Sequence, residues 1–162
     1  KALTEAAMND RQIAEYRYMP DDLPEPYLSR RRKVGFDLYA IAGIARSDME
    51  GRKRQAAKNY EFFGAPVGLF FTMDRRLELG SWLDMGMFMQ NVMILARGAG
   101  LETCPQAAWT YYGPQTHAAL GIPEDEVLVS GMALGFPDWS VDLNRLETER
   151  VPAAQFAVLH DE

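Results

Sequence analysis

The sequence predicts a single α+β domain, a mixed helix/sheet fold with several long helices and few strands. Three observations point there. Two short runs, 65–74 (APVGLFFTMD) and 126–137 (EVLVSGMALGFP), are nearly continuously apolar and rich in strand formers, as strands buried on both faces are. Between them the run 81–100 (SWLDMGMFMQNVMILARGAG) is apolar on nearly every side of a helical wheel. Helices and strands alternate too irregularly for a doubly wound sheet, and no G-x-G-x-x-G follows a strand, so a dinucleotide fingerprint is absent.

Taken in order, residues 2–16 are strong helix formers and predict a helix burying Leu3, Ala6, Ala7, Ile13 and Tyr16 in part. Residues 19–27 hold three prolines in nine positions and predict an extended or turning connection. A helix over 29–44 follows, with Ser29 as N-cap and Val34, Phe36, Leu38, Ile41 and Ile44 on its apolar face. Its basic run, Arg30 to Lys33, reads first as a solvated turn. Cations at a helix N-terminus still oppose the dipole, at a cost of about 0.3–1 kcal/mol each unless an anion is near. The stretch 48–66 predicts a helix ended by Gly64 and Pro66. Strand 65–74 comes next, then the central helix, with Ser81 and Asp84 as a variant capping box and Gly98 or Gly100 as its stop. Its all-round apolarity predicts packing on its own core and also on a second subunit. A short helix around 115–120 ends at Gly121, ahead of strand 126–137. The piece 154–159 (AQFAVL) predicts a short strand that needs a sheet edge, its own or a partner's.

A chain of 162 residues, 48% hydrophobic and 25% charged, fits one globular domain over 1–162. Its net charge of −6 argues against a nucleic-acid partner, which requires a basic face. One cysteine forms no internal disulfide, and Cys104, His117 and His160 show no metal-ligand spacing. No apolar run is long enough to cross a bilayer and no apolar signal segment opens the chain, so a cytoplasmic protein without a membrane partner is expected. Beginning at Lys1 inside a helical pattern, the chain reads as a processed or partial form.

Few side chains suggest chemistry. Cys104 reads as a small hydrophobe, with no basic neighbour to activate the thiol. The acidic runs 21–22 and 124–126 sit beside prolines as solvated loops, and Ser130 lacks a G-x-S-x-G elbow. Methionines 85, 87, 89 and 93 read as core or interface filler. The stretch 104–108 (CPQAA) has two readings: a plain bulge, or a backbone that a flat ring approaches. In the second, Pro105 fixes one dihedral, the alanines leave room, and the amides of Gln106, Ala107 and Ala108 face ring acceptors.

The segments APVGLFFTMDR, GSWLDMGMFMQNVMILARGAGLETCPQAAW, LGIPEDEVLVSGMALGFPD and NRLETERVP, with EPYLSRRRKVGFDLY, resemble the FMN-dependent nitroreductase family, its nitrobenzoate-reductase-like branch. The likeness runs from about 24 to 160 in consistent order. It implies an intertwined homodimer with C-terminal strand exchange, FMN at the subunit interface, and helix 81–99 at the dimer core. It further implies that Pro105, Gln106 and Ala107 meet the flavin and that Arg150 pairs with its phosphate; Arg145 is a poorer match. No side chain is implied as catalytic and no metal is implied. The implied activity passes hydride from NAD(P)H through flavin to nitroaromatic, quinone or similar electron-poor acceptors by ping-pong use of one site. Phe36, Tyr39 and Phe88 are candidate walls for a planar substrate, or simply core. The family's N-terminal arginine motif and its P-S-x-x-N-x-Q-P-W loop have no counterpart here, which implies N-terminal truncation. The alternatives are a truncated, non-catalytic dimeric scaffold without FMN, or a flavin enzyme of the same fold with a different reaction such as dehalogenation.

Overall fold

A computed structural model describes residues 1–9 and 12–160. Its sheet has three antiparallel strands in the order β1–β3–β2: β1 is Val67–Asp74, β2 is Glu102–Gln106 and β3 is Glu126–Gly135. The strand with the longest buried run, β3, is the central one; Leu128 and Met132 are fully buried. As an edge strand, β1 is exposed at Val67 and Gly68 and buried at Phe71 and Met73, so its expected burial on both faces holds for only part of its length. The β1–β3 register slips between Phe71 and Thr72, which leaves Val129 without an opposite residue. Its carbonyl instead accepts the Tyr16 hydroxyl at 2.6 Å.

Helix α1 is Ala2–Met8, shorter than the expected 2–16. From Ile13 the chain is pulled out of helix by backbone pairing: Ile13 N–H donates to Tyr111 O, Glu15 N–H to Thr110 O, and Gly113 N–H to Ile13 O. The remaining expected helix positions, 10 and 11, lie outside the described residues. Helix α2 spans Tyr27–Ile41 and starts two residues before the expected Ser29 cap, because the Glu25 carboxylate accepts the Ser29 N–H at 3.2 Å. No residue of α2 is buried, and Val34, Phe36 and Ile41 remain exposed, contrary to a core-facing stripe.

The expected helix 48–66 divides. Helix α3, Met49–Ala57, is capped by Asp48 Oδ1, which accepts the Gly51 N–H at 2.7 Å. A 3₁₀ segment over Lys58–Gly64 follows, in which Phe62 and Phe63 both take left-handed dihedrals, φ 51° and 53°. That twist stacks the Phe62 ring on Trp109, with centroids 4.9 Å apart and planes 28° apart, and lays it over Gly68, where a Cβ would stand 2.1 Å from the ring. Tertiary packing overrides local propensity there.

Helix α4 is Leu79–Gly98, with Glu78 rather than Ser81 at its N-cap. It ends in a Schellman turn: Gly100 takes φ 76°, its N–H bonds to Arg97 O at 3.1 Å, and Leu101 N–H reaches Ala96 O at 2.9 Å. Only Ala96 of α4 is buried, and Leu79, Leu83, Met87, Ile94 and Leu95 stand out of the chain. Helix α5, Gly113–Leu120, stops at left-handed Gly121 as expected. The expected strand at 154–159 does not form in this chain. Residues 153–155 make a 3₁₀ turn, and Phe156, Val158 and Leu159 are exposed and join none of the three strands.

The core joins Leu3, Ala6, Trp109, Tyr112 and Leu128, with Tyr60, Phe62, Phe70 and Ile122 against it. Trp109 is its hub, edge-on to Tyr60 and Phe70 and stacked on Phe62. Among the described residues no helix is long and apolar enough to cross a membrane.

Candidate functional site

The stretch CPQAA folds as the last residues of β2 running into a 3₁₀ turn over Ala107–Tyr111. Pro105 opposes Met132 across the ladder, and a proline is tolerated there because β2 is an edge. Cys104 and Pro105 are exposed, Ala107 and Ala108 are half-buried, and Gln106 is only 2% exposed. The Gln106 amide turns inward, donating to Asn59 O at 2.9 Å and to Asn59 Oδ1 at 3.3 Å. What this strand end can offer a ligand is therefore backbone and proline ring, with small alanines beside them.

Neighbouring carbonyls are held from behind. Ala108 O accepts the Tyr60 hydroxyl at 2.9 Å, and Ala107 O accepts Thr110 Oγ1 at 2.8 Å. Two polar atoms of the same region, Gln106 Oε1 and Trp109 Nε1, are buried without a partner among the described residues. Although Cys104 is exposed at the surface, the protein packed around its sulfur withholds part of the solvent that a thiolate needs and pushes the thiol above its ordinary range. Cys104 also borders an open groove of about 420 Å³ between Phe62–Pro66 and Phe136–Trp139.

Arg150 lies elsewhere, in a groove of about 280 Å³ between α2 and residues 148–155. Its guanidinium donates to Thr148 O at 3.2 Å, to Thr148 Oγ1 and to Glu149 O at 3.1 Å, all uncharged oxygens. Arg30 and Lys33 of α2 line the same groove. Lys33 Nζ bonds Asp37 at 2.7 Å and faces Glu149 at 3.5 Å, which raises its pKa chiefly through the Asp37 bond. An arginine fork free of carboxylates beside two further cations fits a phosphate. Residues 105–107 do not line this groove, so within one chain the ring-facing and anion-facing candidates are separate.

The three candidate walls also fall apart. Phe36 and Tyr39 line a hollow of about 440 Å³ on α2, each under a guanidinium: Arg46 lies 4.5 Å from the Phe36 ring and Arg52 4.9 Å from the Tyr39 ring. Phe88 projects from α4, edge-on to Phe71 at 6.1 Å. Arg30 and Lys33 were not singled out from sequence as ligand residues. Their only signal is a basic run at a helix start, and it does not reveal that the 148–152 segment returns to them. Among the described residues no group of three or more His, Cys, Asp or Glu is placed to hold a metal.

Comparison with known proteins shows the family. The nitroreductase family model matches residues 5–136. Chloronitrobenzene nitroreductase of Comamonas testosteroni is 44% identical over 142 residues, which cover 88% of this chain and 63% of that protein. The 4-nitrobenzoate reductase of Pseudomonas putida is 39% identical over 155 residues, 96% of this chain and 68% of that protein. The chain thus spans roughly two thirds of the length of the curated relatives it matches. Among solved structures, an FMN- and NADPH-dependent nitroreductase, NfnB, from sphigopyxis sp. strain HMH superposes with a TM-score of 0.91 at 38% identity, over 99% of this chain and 75% of that one. The FMN-dependent NfnB of Mycobacterium smegmatis, solved in complex with NADPH, gives 0.91 at 26% identity, over 99% and 72%. With a family model covering most of its length and relatives this similar, the chain belongs to the nitroreductase family.

Proposed function

We propose that this protein is a homodimeric FMN-dependent oxidoreductase that takes hydride from NAD(P)H and reduces nitroaromatic, quinone or similar electron-poor acceptors, one domain over 1–162. The observation that carries this reading is the superposition of nearly the whole chain on an FMN- and NADPH-dependent nitroreductase and on an FMN-dependent one solved with NADPH. The chain's own chemistry is compatible with the cofactor at both ends: a strand end made of an exposed proline and small alanines, and an arginine whose hydrogen bonds all go to uncharged oxygens. When bound, FMN supplies the hydride transfer itself.

The chain's residues bind and orient. The strand end at Pro105, Gln106 and Ala107 would meet the flavin ring, with the proline ring as a flat apolar contact and the Gln106 and Ala107 N–H groups as the donors. Arg150 holds the phosphate. Phe36, Tyr39 and Phe88 offer flat apolar surface to an acceptor. Donor and acceptor use the same slot in turn, so no side chain need act as acid or base. The separation of the ring and phosphate candidates within one chain suits a site completed by a second copy. The exposed apolar surface of α4 is where that copy packs. A cytoplasmic location follows from a pyridine-nucleotide donor.

The test is the visible spectrum of the purified protein, with the mass of any released chromophore. A yellow protein that releases FMN and is bleached by NAD(P)H under anaerobic conditions is the expected result. A colourless protein that FMN cannot reconstitute overturns the cofactor assignment and leaves a family scaffold.

A further inference from the structure

Strand β2 leaves its ladder at Gln106, whose partner in β3 is Gly131, and the residues after it pair with no strand among the described residues. Side chains hold them instead, all from one side. The Gln106 side-chain amide donates to Asn59 O at 2.9 Å, the Tyr60 hydroxyl to Ala108 O at 2.9 Å, and Thr110 Oγ1 to Ala107 O at 2.8 Å. Gln106 and Thr110 are buried and Tyr60 is half-buried, so this is the inner face of the strand end. In a trans peptide the C=O and N–H point opposite ways, so the inward pull on Ala107 O turns the Ala108 N–H outward. Among the described residues, the Ala107 and Ala108 amides donate to no main-chain oxygen outside their own turn.

Two of the three tethers end on the 3₁₀ segment Lys58–Gly64, in which Phe62 and Phe63 hold left-handed dihedrals. Such backbone is costly for a residue with a Cβ and persists only where its surroundings dictate it. The Tyr60 ring packs edge-on against Trp109 and Tyr112, which a phenylalanine would do as well. What the hydroxyl adds is the bond to Ala108 O. Burial keeps that phenol protonated well past the ordinary range, so it remains a donor.

We infer that Tyr60 and the Gln106 side chain are positioning groups for the flavin: they hold residues 106–108 from behind and so fix the amides that face the ring. The inference rests on the reading above, in which this strand end meets FMN. Hydride transfer from NAD(P)H, two electrons and one proton, leaves NAD(P)+ and a ring carrying added negative charge. Fixed N–H donors stabilise that charge without reorganising, so they favour the reduced ring over the oxidised one. The two tethers therefore act on the reduction potential more than on the affinity for oxidised FMN.

The potential of the bound flavin, read by equilibration with redox dyes in the purified holoprotein, tests this. Tyr60→Phe removes only the hydroxyl and decides the matter, while Gln106→Leu keeps the volume and removes the second tether. Asp48→Ala removes the α3 cap and is the control, because it costs stability without touching residues 106–108. Urea midpoints show that each variant is folded and how much stability it has lost. Tyr60→Phe and Gln106→Leu should each lower the ratio of reduced to oxidised FMN affinity about tenfold, a potential about 30 mV more negative for a two-electron couple. Direct titration should show oxidised FMN weakened by less than that. In the double variant the shifts should fall short of additive, because both tethers hold one strand end. Asp48→Ala should lower the urea midpoint and leave the potential where it was. A potential unmoved by Tyr60→Phe, in a protein that still binds FMN, overturns the inference and leaves the flavin reading intact. The same follows if Asp48→Ala moves the potential as far as Tyr60→Phe does. A wild type that takes up no FMN overturns the flavin reading, and the inference falls with it.

Discussion

Gly131 sits in the middle of the central strand, opposite Phe70 in β1 and Gln106 in β2. A Cβ at this position would stand 2.4 Å from Trp109 Cδ1 and 2.8 Å from Nε1. Comfortable carbon contacts are about 3.5–4.0 Å, so Gly131→Ala requires the indole or the strand to yield by about 1 Å. The indole has nowhere to go, with Phe62 stacked at 4.9 Å, Phe70 edge-on at 4.8 Å and Tyr60 edge-on at 5.3 Å. Overpacking of this kind costs about 1–3 kcal/mol. The smaller entropy of the unfolded alanine chain returns about 0.4–1 kcal/mol. A net loss of about 1–2 kcal/mol is expected, about 2–8 °C in melting temperature for a chain of this size. Urea unfolding followed by tryptophan emission measures it, and Gly131→Ala should cost much less when it is made in a Trp109→Leu background, where the space is already open. Gly131→Ala within 0.5 kcal/mol of wild type, with no coupling to Trp109→Leu, would refute the close approach. Because Gln106 pairs with Gly131, the same substitution should also loosen the strand end proposed to face the flavin.

Three further outcomes are expected. Leu83 is 70% exposed on α4, and if a second copy covers it, Leu83→Glu should raise the dimer dissociation constant at least a hundredfold; light scattering reads this, and a monomeric wild type removes the idea. Glu15, with its side chain 5% exposed, takes Arg75 at 2.5 Å and faces His117 Nε2 at 3.3 Å, so Glu15→Ala should destabilise by about 2–3 kcal/mol. That figure is below the range for fully buried pairs because the Arg75 side chain is 41% exposed, and an unchanged urea midpoint would contradict it. Burial raises Tyr16 to about 12 and pushes Tyr60 up as well, against about 10 for a free phenol. Their contribution to stability is therefore complete below pH 10 and is lost as pH rises through the folded values; absorbance at 295 nm should show these two ionising after the rest, and a single transition near 10 would exclude it.

Features governed by local backbone chemistry are legible in the sequence. The stops at Gly100 and Gly121 follow from left-handed glycines, and β3 follows from an unbroken apolar run that only a central strand can bury. Features set by distant partners are not. Residues 13–16 have helical composition but pair with 110–113, and Phe62 and Phe63 leave helix because Trp109 and Gly68 provide a slot for a ring. The apolar pattern of α4 is readable, whereas the share of it that its own chain leaves uncovered, all but Ala96, is not written in the periodicity. At the candidate site, the smallness of 104–108 could be read from the letters. The inward turn of Gln106 depends on Asn59, and the meeting of Arg30 with Arg150 depends on the return of the chain after β3; neither leaves a local mark.

Pro105 bears on how the sheet meets other chains. A three-stranded sheet has two outer edges, and each bare row of amides and carbonyls is a template on which a further strand can grow. On β2 that row is interrupted at Pro105, which has no N–H to give, next to the turn at Ala107 that ends the strand. On β1 no proline intervenes between Val67 and Asp74. Growth of the sheet is thereby directed to one side. An incoming extended segment, whether wanted or as the first step of aggregation, finds a continuous ladder only along β1, and the β2 side stays clear for contacts that are not strands.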